Sequence, residues 1–251
     1  EFASNKAILS NGENINYDLA VIATGNKPLI KLPILSDIEL NPNGGIKVNE
    51  YLQTNIDDIY ACGENIEIKN IVNNKEMPIN DASLVVRSAK VVAENLITNK
   101  TKFTHALKNY ILKVFGYTIG ICGCNEEELK SADIPYHKLY FSQSNSEIYL
   151  KSSSFINAKL LFGYDGKILG AQLMGKKGID KRLNVIASII NHGGNINELA
   201  EFIMAYFPEF SKAKDILNNL GTLAQEILSK ELKTMAIDEL DKNDILLNVC
   251  M

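Results

Sequence analysis

The stretch Gly44–Glu64, GGIKVNEYLQTNIDDIYACGE, determines how the rest of the chain is interpreted. It predicts a short strand, a turn at residues 55–58, and an apolar strand Ile59–Cys62 that stops at Gly63. Glu64 follows at the carboxyl end of that strand, where open α/β sheets bind ligands because no crossing helix covers the loops. Gly63 lets the backbone approach another group closely, and the Glu64 carboxylate can accept hydrogen bonds from hydroxyl groups. Most such runs are plain turns, so the flanking sequence has to decide.

Composition describes a globular protein and excludes several classes of function. The chain has 251 residues, of which 46% are hydrophobic and 22% charged, enough for one large domain or two ordinary ones. The net charge is −4 and the isoelectric point is near 5.5. Arg87 and Arg182 are the only arginines, so no surface for nucleic-acid phosphates is expected. Because no apolar run reaches the roughly 20 residues of a membrane span, we expect a cytoplasmic protein without a membrane partner.

Four cysteines, Cys62, Cys122, Cys124 and Cys250, are too few for a disulfide framework in a chain of this length. Cys122 and Cys124 form the only close pair. Neither a second pair nor a nearby histidine completes a zinc site. The sequence therefore predicts no metal, and we interpret the close pair as two small buried residues at the end of a strand.

The residues before the opening stretch predict part of a mostly buried sheet. Lys6–Leu9 and Ile15–Tyr17 flank Asn11-Gly12, which is a strong hairpin signal. Leu19–Gly25 is a continuous apolar run, typical of a strand buried on both faces. Pro28 and Pro33 are expected to keep the following connection extended.

A helix is predicted from about Ala82 to Thr98, with Asn80 or Asp81 as its N-cap. Its amino end would point back toward the Gly63–Glu64 turn, and its unpaired N–H groups would favour an anion or the polar edge of a ring. The alternative is a helix that serves packing alone. Its apolar face is expected to comprise Leu84, Val85, Ala89, Val92, Ala93 and Leu96.

A change of composition near residues 100–104 predicts a domain boundary, after which an antiparallel sheet with helices on one side forms an α+β layer. Asp165-Gly166 predicts a tight hairpin, Asn197 a helix cap, and Gly221 the end of the last helix. The expected strands are residues 110–114, 117–122, 137–142, 147–150, 158–164 and 168–174, and the expected helices are residues 126–132, 180–192, 196–202 and 212–219.

Residues 222–251 have the pattern of another module. Residues 223–232 are amphipathic, and residues 245–249 form a strand pattern with no partner after it. Because a buried strand is an unusual last element, we expect the chain to be a fragment of a longer protein.

Taken together, several ordered motifs resemble those of the pyridine nucleotide–disulfide oxidoreductases, in particular the coenzyme A disulfide reductase and NADH oxidase branch. Asp18–Pro28, DLAVIATGNKP, is similar to the segment where the NAD(P)H domain of that family returns to the FAD domain. Gly45–Thr54 and Ile59–Glu64 resemble the flavin segment that follows. Tyr206–Ser211, YFPEFS, stands where this branch has Tyr-Ala-Pro-Pro-Tyr/Phe-Ser.

The resemblance implies three parts. Residues 1–102 would be the end of the NAD(P)-binding domain and the carboxyl-terminal part of the FAD-binding domain, an α/β remnant. Residues 103–221 would be the dimerisation domain, the α+β layer predicted above. Residues 222–251 would be a linker and the start of a rhodanese-like module.

The resemblance also implies a function. NAD(P)H would reduce FAD, which would pass electrons to a disulfide such as that of coenzyme A, or to oxygen. Glu64, beside Gly63, would bind the flavin's ribityl chain, and Ala82 and Ser83 would lie in the segment that packs on the flavin. Two tyrosines of the partner subunit of a homodimer would reach the active site, and spacing back from Gly178–Lys181 places them at Tyr149 and Tyr206. The alternative for Tyr149 is one more strand aromatic.

Departures from the family pattern keep other functions open. No Gly-x-Gly-x-x-Gly follows a strand, and no cysteine matches the family's reactive one, which precedes this region. Glu64 replaces an Asp, and Pro78–Ser83 differs from the usual flavin-facing stretch. The first hypothesis is the carboxyl-terminal part of an FAD-dependent reductase or oxidase, inactive alone. The second is a degenerate, non-flavin dimerisation or interaction module, and a third assigns sulfur transfer to the last module.

Overall fold

The computed structural model describes residues 2–3, 5–98 and 100–234. The chain begins with three short antiparallel strands, β1 (Phe2–Ala3), β2 (Lys6–Ile8) and β3 (Asn14–Asn16), in the order β1-β2-β3. Gly12 adopts φ 87° in the turn between β2 and β3, a conformation that glycine reaches without a steric penalty. The hairpin predicted at Asn11-Gly12 is therefore confirmed.

The strand predicted at Leu19–Gly25 does not form. The segment pairs with no strand in the part of the chain that the structure describes, and Leu19, Val21 and Ile22 are 81%, 82% and 70% exposed. A buried strand needs neighbours for its backbone N–H and C=O groups, and the adjacent strands pair only with each other. The short helix α1 (Lys31–Leu35) follows and contains Pro33, where an extended connection was expected. Proline is tolerated there because the first N–H groups of a helix have no intrahelical partner.

The stretch Gly44–Glu64 folds as irregular backbone held by single bridges, so the strands predicted within it are wrong. Ile46 bridges Leu40 and Ile66, and Tyr60 bridges Gln53. The predicted turn at residues 55–58 is present, with Asp58 at φ 64°. Gly63–Asn65 forms a 3-10 turn, and the hairpin of β4 (Glu67–Lys69) and β5 (Glu76–Pro78) follows. These segments converge on one core that includes the fully buried Leu52, Ile66 and Ile79.

Helix α2 spans Ala82–Thr98, as predicted. Its buried residues are Leu84, Ser88, Val91 and Asn95, whereas Ala89, Ala93 and Leu96, expected on the buried face, are exposed. The spacing of apolar residues predicted the wrong buried face of α2, because two of the residues that the helix buries, Ser88 and Asn95, are polar. Asn95 donates to the carbonyl oxygens of Tyr51 (2.9 Å) and Thr101 (2.7 Å) and accepts from the Thr101 N–H, which stabilises the connection after the helix.

A five-stranded antiparallel sheet follows in the second half of the chain, built from β6 (Asn109–Val114), β7 (Tyr117–Gly123), β8 (His137–Ser144), β9 (Phe155–Phe162) and β10 (Ile168–Gly175). The order of its strands is β6-β7-β10-β9-β8. Gly166, at φ 83°, closes the predicted hairpin at Asp165-Gly166 between β9 and β10.

Three helices cover one face of this sheet: α4 (Ile179–Asn191), α5 (Ile196–Glu201) and α6 (Ile216–Leu228). The shorter α3 (Glu126–Ser131) lies on the opposite face, where Leu129 packs against Leu161 and Leu169. The fold class is confirmed, an α/β portion followed by an α+β layer, with α3 as an addition on the second face.

Three local predictions in this layer are wrong. Residues 147–150 form a turn, closed by the Leu150 N–H on the Glu147 carbonyl (3.1 Å), not a strand. Asn195, not Asn197, caps α5 in a capping box with Glu198. Helix α6 starts at Ile216 and continues through Gly221, so one helix crosses the boundary expected at residue 222.

Gly221 marks a close approach of two helices. A Cβ at this position would lie 2.3 Å from the Ala200 nitrogen and 2.8 Å from the Ile196 oxygen, both backbone atoms of α5. The glycine therefore lets α5 and α6 touch along their backbones, where a helix end was expected.

No helix in the described part of the chain combines the length and hydropathy needed to cross a membrane. The strand pattern at residues 245–249, and with it residues 235–251 of the expected linker and rhodanese-like module, lie outside the described residues.

Candidate functional site

The first candidate site is the Gly63 turn, which we define as residues 63–65 together with the first two turns of α2. Gly63 adopts φ 76°, and its N–H donates to Ser88 Oγ at 3.0 Å. Ser88 is fully buried and donates to the Val85 carbonyl oxygen at 2.8 Å. One hydroxyl therefore fixes the turn that holds Gly63 and Glu64 to the helix that begins with Ala82 and Ser83. Gly63 is buried, whereas the other three residues are exposed.

The amino end of α2 is already occupied by a carboxylate. Asp81, one of the two expected caps, accepts hydrogen bonds from the Ser83 N–H (2.8 Å), the Leu84 N–H (3.3 Å) and the Ser83 hydroxyl. Its negative charge complements the helix dipole and disfavours an additional anion. The Glu64 side chain is exposed beside this end. The region can therefore accept hydrogen bonds from hydroxyl groups more readily than it can bind a phosphate.

The cysteine pair cannot supply reactive thiolates. Cys122 and Cys124 are both free and buried, as expected from the sequence, and they point to opposite faces of the sheet. Burial raises the pKa of each thiol to about 12. Both therefore stay protonated at neutral pH.

The second candidate site, the tyrosine cluster, consists of Glu147, Tyr149 and Tyr206. The Tyr206 hydroxyl donates to Glu147 Oε1 at 3.4 Å. The Glu147 N–H donates to the Pro208 carbonyl oxygen at 3.0 Å. Tyr149 lies in the same turn as Glu147, and the two tyrosines are 71% and 53% exposed in chain order. The structure thus brings together the two tyrosines singled out in the sequence and presents both to solvent.

The environment keeps the Tyr206 phenol protonated. Desolvation, followed by the negative charge of Glu147, the hydrogen bond to it and the neighbouring Tyr149, raises the pKa of Tyr206 above its ordinary value. The hydroxyl can therefore act as a hydrogen-bond donor at neutral pH. Sequence reasoning missed Glu147, whose only signal is an acid two residues before Tyr149 in a serine-rich stretch.

Sequence reasoning also missed a buried ion pair beneath the cluster. Arg182 and Asp215 are 0% and 1% exposed, and Arg182 Nε and Nη2 donate to the two Asp215 oxygens at 2.9 and 2.5 Å. A signal was available, because Arg182 falls on the apolar face of a predicted amphipathic helix. Arginine is almost never buried without an acidic partner.

Four exposed apolar residues, the apolar rim, lie next to the tyrosine cluster along the chain. Phe207 and Phe210 contact each other, with ring centroids 5.8 Å apart, and both are exposed. Ile148 and Ile203 are also exposed. Exposed apolar side chains that lie together, as Phe207 and Phe210 do, mark interaction surfaces.

Comparison with known proteins identifies the family. The profile described as pyridine nucleotide-disulphide oxidoreductase matches residues 1–82, and the profile of the dimerisation domain of that family matches residues 111–215. The chain belongs to the pyridine nucleotide-disulphide oxidoreductases.

Within that family, the chain is similar to coenzyme A disulfide reductases. That of Staphylococcus epidermidis is 32% identical over 220 residues, which are 86% of this chain and 49% of that protein. That of Staphylococcus aureus is 31% identical over 225 residues, 88% of this chain and 50% of that protein. The chain thus spans about half the length of the curated relatives it matches.

Solved structures agree with this placement. Reduced CoADR-RHD of Bacillus anthracis aligns with a TM-score of 0.87 at 32% identity over 92% of this chain and 42% of that one. An NAD-dependent persulfide reductase from A. fulgidus aligns with a TM-score of 0.87 at 27% identity over 93% and 43%. A water-forming NADH oxidase from Lactobacillus brevis, bound to NADH, has a TM-score of 0.82 at 22% identity over 90% and 52%, which shows a shared fold.

The predicted family and fold are therefore confirmed. The roles expected for Gly63, Glu64, Ala82, Ser83, Tyr149 and Tyr206 stay predictions. Among the residues that the structure describes, no group of three or more His, Cys, Asp or Glu side chains could hold a metal ion.

Proposed function

We propose that this chain is the carboxyl-terminal portion of an FAD-dependent NAD(P)H oxidoreductase that reduces a disulfide of the coenzyme A type. Oxygen is an alternative electron acceptor, because the sequence also resembles the NADH oxidase branch of the family. The observation that carries the proposal is the hydrogen bond from Tyr206 to Glu147, in the turn that also carries the exposed Tyr149, in a chain similar to coenzyme A disulfide reductases.

The Gly63 turn fits part of a flavin cofactor. FAD carries a ribityl chain, whose hydroxyl groups match the exposed Glu64 carboxylate as an acceptor. The buried Ser88 hydroxyl accepts the Gly63 N–H and fixes the turn. The negative charge of Asp81 would repel a phosphate at the adjacent helix end. The residues present therefore suit the sugar-alcohol part of FAD. Bound FAD and NAD(P)H would supply the electron transfer itself.

The tyrosine cluster is suited to bind a developing thiolate. Reduction of a disulfide releases sulfur as an anion, and a phenol stabilises such a charge by donating a hydrogen bond. The Tyr206 hydroxyl is a hydrogen-bond donor at neutral pH, and it would turn from Glu147 toward the sulfur anion. Both tyrosines are exposed, so a ligand or a neighbouring subunit can reach them without a change of fold.

A homodimer follows from the same arrangement. The apolar rim formed by Ile148, Ile203, Phe207 and Phe210 would be covered by the partner subunit, so that the cluster of one subunit completes the flavin site of the other. Apolar side chains on the sheet face opposite α4, among them Leu112, Val114, Tyr117, Ile119 and Met174, are exposed as well. They support an interface that includes the sheet. The cytoplasmic location stays a prediction from the sequence.

Tyr206→Phe in the full-length protein that contains this chain tests the proposal. A hydrogen bond to a charged group contributes about 1.5–3 kcal/mol, so kcat for disulfide reduction should fall about 10- to 150-fold. FAD content should be unchanged. Tyr164→Phe, an exposed tyrosine in the β9–β10 hairpin, is the matched control and should keep full turnover. Full turnover in Tyr206→Phe removes this residue from the mechanism.

A second candidate function is a non-flavin dimerisation module of the same fold. The departures of Glu64 and Pro78–Ser83 from the flavin-facing pattern of the family favour it. The two functions differ in a simple observation. A yellow full-length protein that releases FAD on denaturation supports the reductase, whereas a colourless protein that still dimerises supports the module.

A further inference from the structure

The two tyrosines of the cluster lie on loops that need an external support. Tyr149 belongs to the turn that connects β8 and β9, and Tyr206 to the segment that connects α5 and α6. Their direct link is one long hydrogen bond at 3.4 Å between Tyr206 and Glu147, together with the Glu147 N–H on the Pro208 carbonyl. Two such bonds between loops do not by themselves fix a geometry, because the side chains at both ends are partly exposed and water competes for the same groups.

Arg182, in the first turn of α4, joins both loops from the buried side. Its Nη2 donates to the Asn145 carbonyl oxygen at 2.9 Å, two residues before Glu147. Its Nε and Nη2 also bind the Asp215 carboxylate, at the end of the segment that carries Tyr206. Its Nη1 returns to the Gly178 carbonyl oxygen at 2.9 Å. A planar guanidinium can satisfy three such directions at once, which an ammonium group cannot.

The partners of Arg182 extend its hold on each loop. The Asn145 side chain accepts from the Ser154 N–H at 2.8 Å and so closes the loop that carries Tyr149. Asp215 accepts from the Leu217 N–H at 3.2 Å and caps α6. Next to Arg182, the Lys181 ammonium donates to the Phe210 carbonyl oxygen at 2.6 Å. The start of α4 therefore anchors both ends of the cluster.

We propose that Arg182 is the positioning residue of the tyrosine cluster, holding the Tyr149 and Tyr206 loops at the separation at which Tyr206 bonds Glu147. The effect on turnover rests on the function proposed above, whereas the effect on the position of Tyr206 does not. If Arg182 only stabilised the core, its replacement would lower kcat by the same factor whether residue 206 is tyrosine or phenylalanine. The two roles therefore make different predictions.

The experiment uses Arg182→Lys in the full-length protein, alone and combined with Tyr206→Phe. Lysine keeps a positive charge opposite Asp215, but it lacks the planar, forked guanidinium that also donates to the Asn145 carbonyl oxygen. We expect kcat for disulfide reduction to fall at least 10-fold in the single variant and by a smaller factor when Tyr206→Phe is already present, because only the placement of Tyr149 is then lost. Lys167→Arg makes the reverse exchange at an exposed ion pair with Asp165 in the β9–β10 hairpin, and this control should leave kcat unchanged.

A second measurement reports on position directly. In protein labelled with ¹³C at the tyrosine Cζ, the Tyr206 signal is assigned from its loss in Tyr206→Phe. In Arg182→Lys its titration should move to lower pH, because the phenol leaves the Glu147 carboxylate. If Arg182→Lys fails to fold, Arg182→Gln with Asp215→Asn removes both charges together, avoids a buried unpaired ion, and should give the same shift.

The outcomes are separable. An unchanged Tyr206 titration in a folded Arg182 variant overturns the inference, as does an equal loss of kcat with and without Tyr206→Phe. If Tyr206→Phe alone leaves kcat unchanged, the proposed role of Tyr206 in catalysis fails, and the shift of its titration alone then decides whether Arg182 positions it.

Discussion

Replacing Gly221 by alanine tests the packing of the two helices that follow the sheet. The added Cβ would lie 2.3 Å from the Ala200 nitrogen, 2.6 Å from the Ala200 Cα and 2.8 Å from the Ile196 oxygen, where ordinary contact begins at 3.4 Å. All three atoms belong to the backbone of α5, so no rotamer change relieves the overlap. The helices must separate by about 1 Å.

The expected magnitude follows from two opposing effects. Overpacking of this kind costs about 1–3 kcal/mol, and a gap near 1 Å also loses up to about half of the dispersion energy of the contacts beside it. Those contacts include Ile196, Leu199 and Leu220, all buried. Alanine recovers about 1 kcal/mol of helix propensity relative to glycine. We expect a net destabilisation of about 2 kcal/mol at this helix pair.

Hydrogen exchange in the full-length protein measures this local cost. Amides of α5 and α6 should exchange about 30-fold faster in Gly221→Ala, since 1.4 kcal/mol corresponds to a factor of ten. Gly193→Ala is the matched control, because a Cβ there meets nothing within 4 Å and only the left-handed φ of 70° is strained. It should leave exchange in α6 unchanged. Equal or slower exchange in Gly221→Ala would refute the reasoning.

Three further predictions concern other parts of the chain. Ser88→Ala should destabilise the first half of the chain by about 1–3 kcal/mol, because a buried N–H loses its acceptor. Urea unfolding compared with Ser229→Ala, an exposed hydroxyl that also bonds a helix carbonyl, should show the difference. The thiols of Cys122 and Cys124, with pKa values of about 12, should not react with a disulfide reagent at pH 8 until the protein unfolds, and reaction in the folded protein would contradict their burial. Burial opposes ionisation of Glu126, but its lysine and tyrosine partners more than offset this and lower its pKa. Its contribution to stability is therefore present above its unfolded pKa and lost as the pH falls through the folded one, and Glu126→Gln should remove that part of the pH dependence of unfolding.

Local sequence signals predicted the elements whose causes are local. The hairpins at Gly12 and Gly166 follow from residues that tolerate a positive φ, and α4 follows from its apolar period. Its end at Gly193-Gly194 is a Schellman arrangement, in which the Gly194 N–H bonds Ile189 O and the Gly193 N–H bonds Ile190 O.

Long-range packing decided the elements that the sequence misplaced. An apolar run such as Leu19–Gly25 forms a strand only where a neighbouring strand pairs with it. Gly221 is a helix stop in isolation, but it is a contact point once α5 lies against it. The buried face of α2 runs through Ser88 and Asn95 because distant backbone groups need their side chains.

The residues of the candidate site also fall into two groups, those that the sequence identified and those that only the structure shows. The resemblance to a family placed Tyr149 and Tyr206, and the structure brings them together. Glu147 and Arg182 carry no motif, and their roles come from partners that are distant in sequence, such as Asp215. Pairing of this kind is visible only after folding.

The exposed segment Leu19–Ile22 has a practical consequence for the handling of this chain. Extended backbone with unpaired N–H and C=O groups and apolar side chains is a template on which a second strand can add. Aggregation of such segments rises with low charge and high β-propensity. A preparation of the 251 residues alone is expected to associate through this segment as its concentration rises. Val21→Lys would place a charge in the segment and should reduce this association.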